Sequence, residues 1–183
     1  LAAQRGIDRT KKVSADAIPI VDVSRLVAGR PGAAAEVARH FTAAFTTIGF
    51  CYITGHGVPA ALVGRALKAL ETFFDLPLDE KLRIPINRNQ RGYLQMHKQT
   101  QLHGKKPNRS ESFIFGLDLP ADDPDRAAGL AMHDTNYWPA NLPAFRATME
   151  EYWRAQFALG PKLLRALALA MRQPEDFFVP FYT

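Results

Sequence analysis

The ten residues Gly49-Phe50-Cys51-Tyr52-Ile53-Thr54-Gly55-His56-Gly57-Val58 restrict the fold of this chain more than any other stretch. Residues 50–54 are aromatic, β-branched or small and apolar, the composition of a short buried strand. Glycine bounds the run on both sides. Gly55-His56-Gly57 permits positive φ and a sharp reversal. Pro59 then suits the first turn of a helix. Strand, reversal and helix start are thus set within one short span.

The rest of the chain is ordered around that span. The 183 residues allow one domain with a real core, or one domain with an appendage. A net charge of +5 is mild, and the basic residues are scattered apart from Lys11-Lys12 and Lys105-Lys106. Aromatic residues do not interleave with them, so the charge reads as solvated surface and no nucleic-acid partner is expected. Cys51 is the single cysteine, which excludes an intrachain disulfide framework and fits a reducing cytoplasm. No apolar run approaches a membrane span, so no membrane partner is expected either.

Residues 1–17 are polar and aperiodic, and a loosely ordered arm is expected there. Ile18-Pro19-Ile20-Val21-Asp22 reads as a strand that starts at Pro19 or lies at an edge. Val37, Phe41, Ala44, Phe45 and Ile48 recur at helical spacing and predict a helix over 33–48. A second apolar stripe predicts a helix over 59–74, ended by Asp75-Leu76-Pro77, with one further turn over 78–82. The segment 83–109 is long, polar and without predicted structure, a pattern of functional or mobile loops. A strand is expected over 111–116 and a loop over 117–133. A long helix follows from about Leu142 to Arg172, kinked but not stopped at Pro161. A short last helix is expected from Gln173 to Phe178.

Familiar catalytic fingerprints are missing. The chain has no P-loop, no dinucleotide glycine pattern, no Gly-x-Ser-x-Gly and no Cys-x-x-Cys. Of the histidines, His56 reads as a turn residue and His40 as a solvent-edge helix residue. His97 and His103 share the polar loop without a nearby carboxylate pair. His133 and Asp134 are adjacent, which is not the His-x-Asp spacing of an iron facial triad. No metal site is therefore assigned.

The order of landmarks resembles the N-terminal region of the isopenicillin N synthase-like Fe(II)/2-oxoglutarate-dependent dioxygenase family. Ile18-Pro19-Ile20-Val21-Asp22 is similar to that family's opening strand, and the 49–58 stretch to its Gly-Phe-…-Asn-His-Gly segment. Gly55 stands where the family usually has asparagine. Phe73-Phe74-Asp75-Leu76-Pro77 with Glu80-Lys81, then Arg91-Gly92-Tyr93, then Glu111-Ser112-Phe113 follow in family order. Asn136-Tyr137-Trp138-Pro139 with Leu142-Pro143 and Phe145-Arg146 completes the series.

The resemblance implies an α+β fold, with helices packed on a few strands. It would be the N-terminal part of a double-stranded β-helix (jelly-roll) oxygenase whose catalytic half is absent from this chain. The implied organisation is a 1–17 arm, an 18–178 domain and, at 179–183, the start of the connection to that jelly roll. Fe(II) and 2-oxoglutarate would both be bound by the missing C-terminal half, which would also be this region's packing partner. The expected activity is oxidation of a small carboxylate-bearing molecule, with no turnover by this chain alone. Two alternatives stay open: an isopenicillin N synthase-type oxidase without 2-oxoglutarate, and a non-catalytic binding or interaction module. The expected substrate-binding residues are Arg91, whose planar fork suits a carboxylate, and Tyr93, whose phenol adds a hydrogen bond. Read without the resemblance, Arg91 is a solvated loop cation, Tyr93 a core aromatic and Glu111 a salt-bridge partner. Lys105 and Lys106 read as surface, and Trp138 and Trp153 as core.

Overall fold

In a computed structural model of the protein, the structure describes residues 17–98 and 107–182. The expected N-terminal arm apart from Ala17, and His103, Lys105 and Lys106, lie outside the described residues. The elements run β1 (Ile20–Asp22), α1 (Ser24–Val27), α2 (Ala33–Thr47), β2 (Tyr52–Thr54), α3 (Ala60–Phe74) and α4 (Leu78–Lys81). Then come β3 (Gly92–Leu94), β4 (Ser112–Ile114), α5 (Pro124–Ala127) and α6 (Pro143–Ala170), with a 3-10 turn at Val179–Phe181. The chain divides into two compact units. One holds the described residues up to Val58 and those from Ala155 onward; the other is Pro59–Arg154.

In the first unit β1 and β2 pair in parallel, with Ile20 opposite Tyr52, Val21 opposite Ile53 and Asp22 opposite Thr54. Pro19 contributes only its carbonyl, which accepts from Tyr52 N at 2.9 Å, so a proline without an N–H starts the strand at no loss. Val21, Val23, Leu26, Val37, Phe41 and Ala166 form the core. The expected helix over 33–48 is present, and its Val37, Phe41 and Ala44 are buried as the spacing requires. The strand expected over 50–54 is shorter and less buried than its composition suggests: Phe50 is 53% and Tyr52 59% exposed. A two-stranded sheet covers one face only, and the period of two that turns Ile53 inward turns Tyr52 outward. At Gly55 φ is +67°, and a Cβ there would stand 2.6 Å from Asp22 Oδ1, so the reversal after β2 requires glycine.

From Ala155 onward α6 lies in this unit and runs through Pro161 without a stop. The short helix expected over 173–178 is instead a set of turns leading into the 3-10 turn. Tyr182 stacks on Phe157 with ring centroids 4.6 Å apart.

The second unit is built on aromatic residues. Phe73, fully buried on α3, lies 5.0 Å from Phe113, 5.2 Å from Phe145 and 6.0 Å from Tyr93, centroid to centroid. Trp138 packs on Phe113 and Phe115. Two parts of the sequence reading change here. The polar segment expected to lack structure contains β3, which pairs antiparallel with β4, Tyr93 opposite Phe113. A three-residue strand carries too few residues for its period to show against polar flanks. The loop expected over 117–133 contains α5, capped by Asp123, whose Oδ1 accepts from Asp125 N and Arg126 N at 3.0 Å each.

Candidate functional site

The site is built in the second unit around β3. Gly92 has φ +112°, and a Cβ there would meet the Ile84 carbonyl oxygen at 2.7 Å. Only glycine permits that approach. It lets Tyr93 N donate to Ile84 O and Ile86 N to Tyr93 O, both at 2.8 Å, and this turns the Tyr93 side chain inward.

The Tyr93 phenol donates to Glu111 Oε2 at 2.5 Å. Lys81 Nζ, from the end of α4, donates to the same oxygen at 2.9 Å and to the Phe74 carbonyl at 2.8 Å. Tyr93 is 2% exposed. Burial pushes its phenol up to about 12, helped by the hydrogen bond to Glu111 and by that carboxylate's charge. For Glu111, burial pushes the carboxyl up. The hydrogen bonds from Tyr93 and Lys81 and the Lys81 charge outweigh it and hold the group below its ordinary value. Glu111 thus stays a carboxylate that orients two donors, a positioning arrangement fixed on three elements.

Arg91 precedes β3 and is 6% exposed. Asn87 Oδ1 accepts from Asn89 N at 2.9 Å and Arg91 N at 3.0 Å, which shapes the turn before it. The guanidinium donates from Nη1 to Asn89 O and Gln90 O at 3.2 and 3.4 Å, and from Nη2 to Met132 O at 2.9 Å. Gly116 leaves room for it, since a Cβ there would stand 2.9 Å from Nη2. Asp134 Oδ2 accepts from Asn89 Nδ2 at 2.9 Å and Asn87 Nδ2 at 3.3 Å. The Asn89 and Thr135 N–H donors hold the Asp134 carboxyl below its ordinary value against a smaller effect of burial.

A cleft of about 290 Å³ opens beside this network, lined by Phe115, Gly116, Asp118, Asn136, Arg146 and Trp153 among others. Asn136 is fixed by both amide atoms: Gly116 N donates to Oδ1 at 2.9 Å, and Nδ2 donates to Gly116 O at 2.8 Å. Asp118 accepts from Thr135 Oγ1, Asn136 N and Arg146 Nη2 at 2.6, 3.0 and 3.3 Å. Trp153, expected in the core, is half-buried and lines the cleft.

The structure thus places Arg91 and Tyr93 close together, with both polar ends engaged by protein atoms. Glu111 is a salt-bridge partner, as the bare residues suggested. Lys81, Asn87, Asn89 and Asp134 were missed. The Asn-x-Asn-x-Arg spacing is the one signal that marks a side-chain-bonded turn; Lys81 and Asp134 carry none, because their partners are distant in sequence.

Among the described residues the histidines do not come together into a metal-binding group. His40 is exposed on α2, His56 Nδ1 accepts from Val58 N at 3.2 Å, and His133 faces Asp125 at 3.8 Å. Among the described residues no group of three His, Cys, Asp or Glu side chains could hold a metal ion. The described residues thus offer no donor set that fits Fe(II). Among the described residues no helix is long and apolar enough to cross a membrane.

Comparison with known proteins gives a consistent set of likenesses. Residues 18–141 match the family described as non-haem dioxygenase in morphine synthesis, N-terminal. The chain is 35% identical over 167 residues to the 2-oxoglutarate-Fe(II) type oxidoreductase hxnY of Emericella nidulans, covering 88% of this chain and 48% of that protein. It is 35% identical over 155 residues to the 2-oxoglutarate-dependent dioxygenase caaD of Aspergillus niger, covering 82% and 47%. A solved 2OG-Fe(II) oxygenase family structure from Caulobacter crescentus superposes with a TM-score of 0.73 at 27% identity, over 90% of this chain and 52% of that one. A Neurospora crassa protein solved in complex with alpha-KG and thymine gives 0.69 at 26% identity, over 91% and 52%. The chain spans about half the length of the curated relatives it matches.

Proposed function

The chain belongs to the non-haem dioxygenase N-terminal domain family, and from that premise we propose that it is the substrate-side part of an Fe(II)- and 2-oxoglutarate-dependent oxidoreductase acting on a small molecule. The observation that carries this reading is the match of nearly the whole chain to half of relatives named for 2-oxoglutarate. Those names favour the 2-oxoglutarate reading over an oxidase without it. Fe(II) and 2-oxoglutarate would be held by protein beyond this chain, packed against it, and the 183 residues alone would not turn over.

In this reading the β3 strand and the turns around Arg91 form one wall of the substrate site. Arg91 and Tyr93 act on a small, carboxylate-bearing substrate chiefly by fixing that wall, since both Nη atoms of Arg91 and the Tyr93 phenol already have protein partners. The neighbouring cleft, with an aromatic side and a polar rim, is the nearest open space for such a molecule.

The test is succinate release from 2-oxoglutarate by the full-length protein with Fe(II) and oxygen. Release by the full-length protein and none by residues 1–183 is expected. No release by the full-length protein overturns the proposal. Arg91→Ala is expected to raise KM for the substrate and to leave substrate-free 2-oxoglutarate turnover nearly unchanged; an unchanged KM removes Arg91 from the site.

A further inference from the structure

Arg91 lies between two turns, each of which contains a residue other than glycine in the left-handed region. Gln90 has φ +58° and Met132 has φ +67°. L side chains rarely adopt that backbone, and it persists only where the surroundings enforce it. The carbonyls of these two residues both accept from the same guanidinium, Gln90 O from Nη1 at 3.4 Å and Met132 O from Nη2 at 2.9 Å. The Arg91 Nε is buried without a partner. The side chain thus forgoes one bond and holds both carbonyls, which only a planar fork does. Asp134 ties the same two turns a second time, through Asn87 and Asn89.

We propose that Arg91 is a clamp coupling the 87–91 turn to the 131–135 turn, so that the two open and order together. A ligand that orders one turn then orders the other at reduced entropic cost. This coupling holds whether or not the oxygenase reading does. The competing arrangement is two independent turns, each closed by its own local bonds: Asn87 Oδ1 to Asn89 N and Arg91 N, and Asp134 Oδ1 to Thr135 N.

Amide hydrogen exchange in the full-length protein separates the two. In Arg91→Lys the charge stays but the fork is lost. Exchange at 89–91 and at Thr135 is expected to rise together, by at least about tenfold, with α3 unchanged. A rise confined to 89–91, or no rise, overturns the proposal. Where Arg91→Lys also loses α3 protection, Gly116→Ala decides by the same criterion. Its methyl would press on Nη2 from 2.9 Å while Arg91 remains.

Discussion

Tyr93 donates its phenol proton to Glu111 Oε2 across 2.5 Å, and Lys81 reaches the same oxygen from 2.9 Å. One carboxylate therefore fastens α4, β3 and the start of β4. Glu111→Gln removes the charge and leaves a buried lysine facing a neutral amide. It is predicted to cost about 2–3 kcal/mol in urea unfolding. Lys81→Met in that background should recover part of the loss. A cost below about 0.5 kcal/mol, the range of ordinary surface changes, would mean the contact holds nothing.

The same contact predicts loss of stability in alkali. The folded Tyr93 phenol is raised from 10 to about 12, so its contribution is complete below pH 10 and is lost as pH rises towards 12. The loss should be on the order of 2–3 kcal/mol. Urea titrations across that window should show the slope in the wild type, and Tyr93→Phe should lack it.

Acid acts through Glu111 in the opposite sense. Its folded value lies below the ordinary 4.5, so its contribution is present above that pH and is lost as pH falls through the depressed value. Glu111→Gln should flatten this part of the acid unfolding curve. An identical acid midpoint and slope in the variant would argue against it.

Two glycines should respond in opposite directions to alanine. Gly92→Ala places a methyl 2.7 Å from a carbonyl oxygen at φ +112°, and a loss of about 2 kcal/mol or more is expected. Gly64, on exposed α3 surface with nothing within 4 Å of its Cβ position, should gain about 0.5–1 kcal/mol. Thermal melts of the two variants should bracket the wild type.

Phe73→Ala removes a fully buried ring from the aromatic core and should cost about 3–5 kcal/mol. Phe181, 78% exposed, should tolerate alanine within about 0.5 kcal/mol. Equal midpoints for the two in denaturant would contradict the packing described for Phe73.

The sequence by itself determined the three long helices, α2, α3 and α6, and the family. The stripes of α2 and α3 are local periodic signals, and the steric demands that fix Gly55 and Gly92 are written into residue type. The 49–58 stretch marked a strand and a reversal, though not that a two-stranded sheet would leave Phe50 and Tyr52 exposed. Burial depends on what covers a face, and that partner is not encoded in the strand's own residues. Tertiary structure alone decided the polar networks. Lys81 and Glu111 stand 30 residues apart, and Arg91 and Met132 41. A hydrogen bond has no sequence period, so only the folded backbone brings such donors and acceptors together. The same holds for Arg91: its residue type suggested an exposed fork for a ligand, and the fold set that fork against three backbone carbonyls.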